Sequence, residues 1–236
     1  MRAKLALMSL VVFQFGWHGC SSEVPATQPT TMTVFGVRER ELIVFSGQGK
    51  VREVKKLIDS GVNVNVRDPD RDDTTALMVT TFAGHTAVAK VLLDAGADVN
   101  LAVDGTTALH SAMLSSSTDI ARMLVKKGAD VNAVSEDMGH VTPLHLAALQ
   151  NCPRCIFILS VANAELNRLD RRGQTPLHSA ARCGNLAAVQ ALLLVKADKN
   201  IRDADGKLPI DLAEAGGYRK VAEELRAVPK DVEFKP

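Results

Sequence analysis

Aromatic side chains are scarce in this chain of 236 residues: seven Phe, one Trp and one Tyr, 4% in all. A core built without them must rest on Leu, Val, Ile and Ala, which suits close helix packing better than a β-sandwich. Cysteine is scarce too, and four residues are too few for a disulfide scaffold at this length. Charge of one sign is lacking: 28 Lys and Arg against 27 Asp and Glu leave a formal net charge of +1. That balance excludes a polybasic nucleic-acid arm or an acidic tail as the basis of function. Hydrophobic residues at 46% and charged residues at 23% argue for a folded chain and against disorder.

The N-terminus reads as an export signal. Arg2 and Lys4 precede an apolar run from Leu5 to Phe15, the length of a signal-peptide core. The run is too short for a transmembrane helix, which needs roughly 20 apolar residues. Gly19-Cys20-Ser21-Ser22 resembles the lipobox of bacterial lipoproteins, with Trp17 where that family prefers Leu. The resemblance implies removal of residues 1–19 and a lipid on Cys20. Plain secretion, with cleavage near Val24-Pro25-Ala26, is the alternative. Residues 20–35 are rich in Ser, Thr and Pro and read as a flexible tether.

The rest of the chain repeats itself. Units open at Thr75, Thr107, Thr142 and Thr175, at steps of 32, 35 and 33, and outer units follow at Arg40 and Leu208. Each carries an apolar helix, and similar endings recur as VNVN (62–65), ADVN (97–100, 129–132), AELN (164–167) and ADKN (197–200). TPLHxAA at 142–148 and 175–181, GH at 84–85, and GADVN at 96–100 and 128–132 resemble the ankyrin repeat. The resemblance covers residues 36–228 and implies an all-α solenoid of about six stacked helix-turn-helix units with β-turn tips. The units fall near 36–69, 70–101, 102–136, 137–169, 170–202 and 203–228, with 229–236 as a loose tail.

The residues support this physically. Thr142 and Thr175 are good N-caps, and Pro143 and Pro176 suit the first helical position. Gly84 lies between two helices and Gly96 ends one, at places that favour left-handed backbone. Asn151 and Asn163 are the next most tolerant choice there. Ser116 and Lys196 depart from the pattern, at roughly 1–2 kcal/mol for a side chain in that conformation, so local softness is expected at both.

Little chemistry stands out. His110, His145 and His178 hold one place in the repeat, which the ankyrin resemblance assigns to ordering the turn and helix. Metal ligation would need convergent ligands, whereas equivalent places in successive repeats lie about 10 Å apart. Gly47-Gln48-Gly49-Lys50 lacks the spacing and hydroxyl of a phosphate loop. No cofactor, metal or small-molecule substrate is expected. Cys152-Pro153-Arg154-Cys155 is the one local motif to weigh. It reads as buried packing, as a structural disulfide, or as a redox pair activated at a helix start. Cys183 could instead approach Cys152 from the neighbouring repeat.

A binding surface remains. In ankyrin proteins partners generally dock on the concave face, formed by the tips and the exposed side of the first helices. Seven residues after each opening Thr stand Phe82, Leu114, Leu149 and Arg182: an apolar stripe with a cation at its end, or side chains that fold inward to cap the core. At the tips, Arg71 and Asp72, then Met138, then Arg171 and Arg172 would add to it, the arginines facing an acidic patch. The expected function is non-enzymatic protein binding by an exported, lipid-anchored protein in the periplasm or on the outer membrane. Membrane contact would come through the N-terminal lipid alone, and nucleic acid is not a partner. Alternatives are an inhibitor or immunity-type protein neutralising an enzyme or toxin in the same compartment, and a thiol-disulfide protein using Cys152 and Cys155.

Overall fold

A computed structural model of the chain describes residues 36–227. The expected signal peptide, Cys20 and the tether of residues 20–35 lie outside the described residues, as does the tail at 229–236. Among the described residues twelve helices form six pairs: α1 (Val37–Gly47) with α2 (Val51–Asp59), α3 (Ala76–Ala83) with α4 (Thr86–Asp94), α5 (Ala108–Leu114) with α6 (Thr118–Lys126), α7 (Pro143–Leu149) with α8 (Pro153–Val161), α9 (Pro176–Arg182) with α10 (Leu186–Leu194), and α11 (Pro209–Ala215) with α12 (Arg219–Arg226). Each first helix stacks on the first helices before and after it, and the second helices form a parallel outer row. This is a solenoid, in which each repeat meets only its neighbours.

Local chemistry starts each first helix. Thr75 caps α3 by accepting the Met78 N–H at 3.3 Å, and Thr175 caps α9. Pro143 and Pro176 occupy first positions, as the sequence predicts, and so do Pro153 and Pro209. Small residues let the helices close on one another: Ala112, Ala147, Ala148, Ala180 and Ala181 are fully buried. Leu92, Leu124, Leu159 and Leu192 supply the matching core of the second helices. Full burial of one such side chain contributes about 1.5–3 kcal/mol.

The connections obey the expected backbone. Gly84 (φ 76°) and Gly96 (φ 86°) are left-handed, and so are Asn151, Asn163, Ser116 (φ 53°) and Lys196 (φ 69°). Two tips are more than turns. β1 (Arg67–Asp68) pairs antiparallel with β2 (Thr74–Thr75), and β3 (Ala102–Val103) with β4 (Thr106–Thr107). At the fourth tip, Ser135 bridges Val141.

A ladder of asparagines joins the repeats along the far edge. The Asn65 side-chain oxygen accepts the Asp98 N–H, Asn100 that of Asp130, Asn132 that of Glu165 and Asn167 that of Asp198, at 2.8–2.9 Å. The Asn100 amide also donates to the Gly128 carbonyl at 3.1 Å. The recurring Asn at the end of units one to four is thus a repeat-to-repeat hydrogen-bonding group.

Candidate functional site

The three repeat histidines are structural. In each, Nδ1 accepts the N–H of the opening threonine at 3.2 Å: Thr107 to His110, Thr142 to His145, Thr175 to His178. Each Nε2–H then donates to a carbonyl of the next repeat: Val141 at 3.3 Å, Gln174 at 3.0 Å and Lys207 at 3.1 Å. Both nitrogens are used, and the neutral imidazole fits both roles. Burial pushes the His110 pKa down to about 4, against the pull of the Val141 carbonyl. Burial lowers His145 and His178 as well. Among the described residues no group of His, Cys, Asp and Glu could hold a metal ion.

The cysteines sort themselves by burial. Cys155 is fully buried in the core place held elsewhere by Val88 and Ile120, and Cys152 is buried beside it. The two form a disulfide across the first turn of α8, with Cα atoms 5.3 Å apart, and the Cys155 N–H donates to Cys152 Sγ. Cys183 is free and half-buried, so the pairing of Cys183 with Cys152 is not formed. The reason is local: three residues at a helix start bring Cys152 and Cys155 together without any contribution from the next repeat. Burial of both sulfurs also denies an exchange partner the access that thiol-disulfide chemistry requires.

The concave row is laid out by the stack. Phe82, Leu114, Leu149 and Arg182 stand near or at the C-terminal ends of α3, α5, α7 and α9, which are consecutive inner helices. Leu149 is 38% exposed and Arg182 is exposed. Phe82 is half-buried. Leu114 is half-buried and leans on the core, so it divides its surface between packing and solvent. The tips differ among themselves. Asp72 is exposed in left-handed backbone (φ 51°). Arg71 is half-buried and reaches the buried Asp68 carboxylate at 3.6 Å within its own tip. Met138 packs against the core. Arg171 and Arg172 are exposed, and Arg171 also spans to the fourth tip through its N–H to the Gly139 carbonyl at 2.9 Å. The fifth tip is braced from below: burial acts to raise the pKa of Asp203, but hydrogen bonds from the Gln174 side chain and from the Lys207 and Asp205 amides outweigh it and hold the carboxyl low.

Known proteins match this arrangement. Profiles described as ankyrin repeats (3 copies) and ankyrin repeats (many copies) match residues 42–135 and 161–213, together more than half of the chain. The chain belongs to the ankyrin-repeat family. A chain in the solved structure of the Bd0816 predatory endopeptidase from Bdellovibrio bacteriovorus in complex with immunity protein Bd3460 superposes on this ankyrin-repeat protein. The TM-score is 0.70 at 26% identity, over 79% of this chain and 96% of that one. Serine/threonine-protein kinase 12 of Arabidopsis thaliana is 42% identical over 65 residues, 28% of this chain. The chain spans 13% of that kinase's length, a partial ankyrin match.

One feature of this ankyrin-repeat protein escapes a reading directed at the concave face. Phe157, Val161 and Leu194 are exposed on the outer helices α8 and α10, at 38%, 84% and 63%. The sequence signal was present: the same places in repeats 2 and 3 carry Lys90, Asp94, Arg122 and Lys126. No helix among the described residues is long and apolar enough to cross a membrane.

Proposed function

We propose that this ankyrin-repeat protein is exported, anchored through a lipid on Cys20, and holds a single protein partner on its concave face. The fold makes it a protein-interaction module. The observation that supports this docking face is the row Phe82, Leu114, Leu149 and Arg182 on four consecutive stacked helices, with the exposed Arg171 and Arg172 on the fifth tip, at the other end of α9 from Arg182. A preformed rigid surface limits the ordering cost of association. Leu149 and Phe82 would anchor the partner, and the arginines would meet an acidic patch on it.

A narrower reading is favoured by the neighbour: the partner is an enzyme in the same compartment, and binding inhibits it. The likeness to the chain from an endopeptidase–immunity protein complex supports it. The test is cross-linking in the native envelope with wild type and with Phe82→Ser/Leu114→Ser/Leu149→Ser, first shown to be helical. The expected result is a hydrolase captured by wild type, lost by the variant, and inhibited when purified protein is added. Capture of the same proteins by both would remove the concave row. Capture without loss of enzyme activity would remove the inhibitor reading while leaving the docking face.

A further inference from the structure

The outer helices α4, α6, α8 and α10 occupy equivalent places in repeats 2 to 5. Two outward places on each are solvent-facing. They hold Lys90 and Asp94 on α4, and Arg122 and Lys126 on α6. On α8 they hold Phe157 and Val161, and on α10 Gln190 and Leu194. Phe157, Val161 and Leu194 neither belong to the core nor lean on it among the described residues. Equivalent places in adjacent repeats lie about 10 Å apart, so the three side chains form one patch on the convex side. Cations border the patch. Lys126 flanks Val161 from repeat 3, Arg154 stands one turn before Phe157, and Lys196 follows Leu194; all three are exposed.

An apolar centre rimmed by Lys and Arg is the composition that settles at an anionic lipid surface. The chain outside the described residues supports the same occupant. A lipid on Cys20 would hold Val37 within an extended reach of roughly 50 Å, at about 3.3 Å per residue. The patch lies three to four repeats from that end, roughly 35 Å at helix-packing distances. We infer that the convex face of repeats 4 and 5 lies on an anionic bilayer, with Phe157, Val161 and Leu194 entering the headgroup boundary and Lys126, Arg154 and Lys196 meeting lipid phosphates. The concave face then points away from the membrane, open to a partner. The inference rests on the anchored reading of Cys20, which the mass of the N-terminal peptide from envelope-purified protein tests separately.

All core side chains among the described residues lie between Leu42 and Leu225, so the chain from Ser21 onward carries that core. This lipid-free chain is floated with phosphatidylcholine vesicles, with and without phosphatidylglycerol. Binding is expected to the anionic vesicles, weakening with salt. Phe157→Ser/Val161→Ser/Leu194→Ser should lower it by about tenfold, and Phe82→Ser/Leu114→Ser/Leu149→Ser should leave it unchanged. Circular dichroism confirms each fold first, and Val161→Ser alone, at the most exposed place, replaces the triple variant if that one unfolds. Three results would overturn the inference: absence of anionic-vesicle binding by wild type, equal binding by the convex variant, or equal binding to vesicles of both kinds. A dimer that the convex variant converts to monomer would also overturn it, by assigning the patch to a second copy.

Discussion

Lowering the pH from about 7.5 to about 4 should destabilise the stack progressively, because buried histidines must take up protons that the folded state resists. His110 sets the scale. Unfolded, it protonates near its ordinary value of 6.5; folded, burial pushes it down to about 4. Between those values the unfolded state binds more protons, so stability rises with pH. The contribution is complete above about 6.5, is lost as pH falls toward about 4, and is flat below. The gap corresponds to about 3 kcal/mol, a substantial fraction of the about 5–15 kcal/mol that holds a domain together. Burial is the cause of the shift, and Nδ1 accepts the Thr107 N–H, so protonating it would also break that hydrogen bond. His145 and His178 shift the same way, and burial lowers both. The assay is the urea midpoint against pH for wild type and for His110→Gln, whose amide keeps a donor and an acceptor and does not titrate. The variant should be less stable near neutral pH and lose about 3 kcal/mol of the pH dependence. Parallel curves, or an imidazole signal of His110 titrating near 6.5, would refute the reasoning.

Other consequences follow from single residues. Asn100→Ala removes the acceptor for the Asp130 N–H and the donor to Gly128, and should cost about 1–2 kcal/mol in urea unfolding; an unchanged midpoint would show that the ladder adds nothing. Lys196→Gly and Ser116→Gly relieve left-handed side chains and should each stabilise by about 1 kcal/mol. In wild type, amides around both should exchange faster than those near Gly84 and Gly96, and equal rates would count against local softness. Iodoacetamide on the native, unreduced protein should label Cys183 and spare Cys152 and Cys155; rapid labelling of Cys152 or Cys155, located by peptide mass, would contradict the disulfide. Met78 stands where repeats 3 to 5 carry the stitching histidine, so Met78→His should gain about 1 kcal/mol by reaching the Thr106 carbonyl, and a loss would show that the third tip holds that carbonyl elsewhere.

Much of the fold was legible because ankyrin signals are local and repeated. Thr142-Pro143 and Thr175-Pro176 declare helix starts without reference to anything distant, and the left-handed places fell at the residues the period assigns them. The asparagine ladder was visible as a recurring letter, but its meaning depends on the backbone of the following unit. The β-hairpins at the second and third tips were not legible as strands, since two residues on each side carry no alternation. The cysteine pairing stayed open because a helix-start contact and a contact between repeats are equally compatible with the spacing. In the concave row, position was predictable and exposure was not: Leu114 and Leu149 share a place in the repeat, yet Leu114 leans on the core and Leu149 stands out to solvent.

The histidine place shows why fold and partner differ in legibility. In repeats 3 to 5 its occupant is His, stitched to a carbonyl of the next repeat; repeat 2 carries Met78, and the last unit carries Asp211, where the Leu208 N–H donates to the carboxylate at 2.8 Å and the Nε2–H role has no following repeat among the described residues to serve. Such a position answers to the stack and to nothing outside it, so it repeats and can be read. The rows at Phe82–Arg182 and at Lys90–Gln190 vary from unit to unit, and under the proposed readings that variation would answer to what lies outside. They stand on the inner and outer helices of the same pairs, separated by the continuous core that runs from Leu42 to Leu225. Substitutions on two such rows share few contacts and should act additively. A solenoid can therefore carry one surface for a protein partner and another for its membrane, and each can be removed without the other.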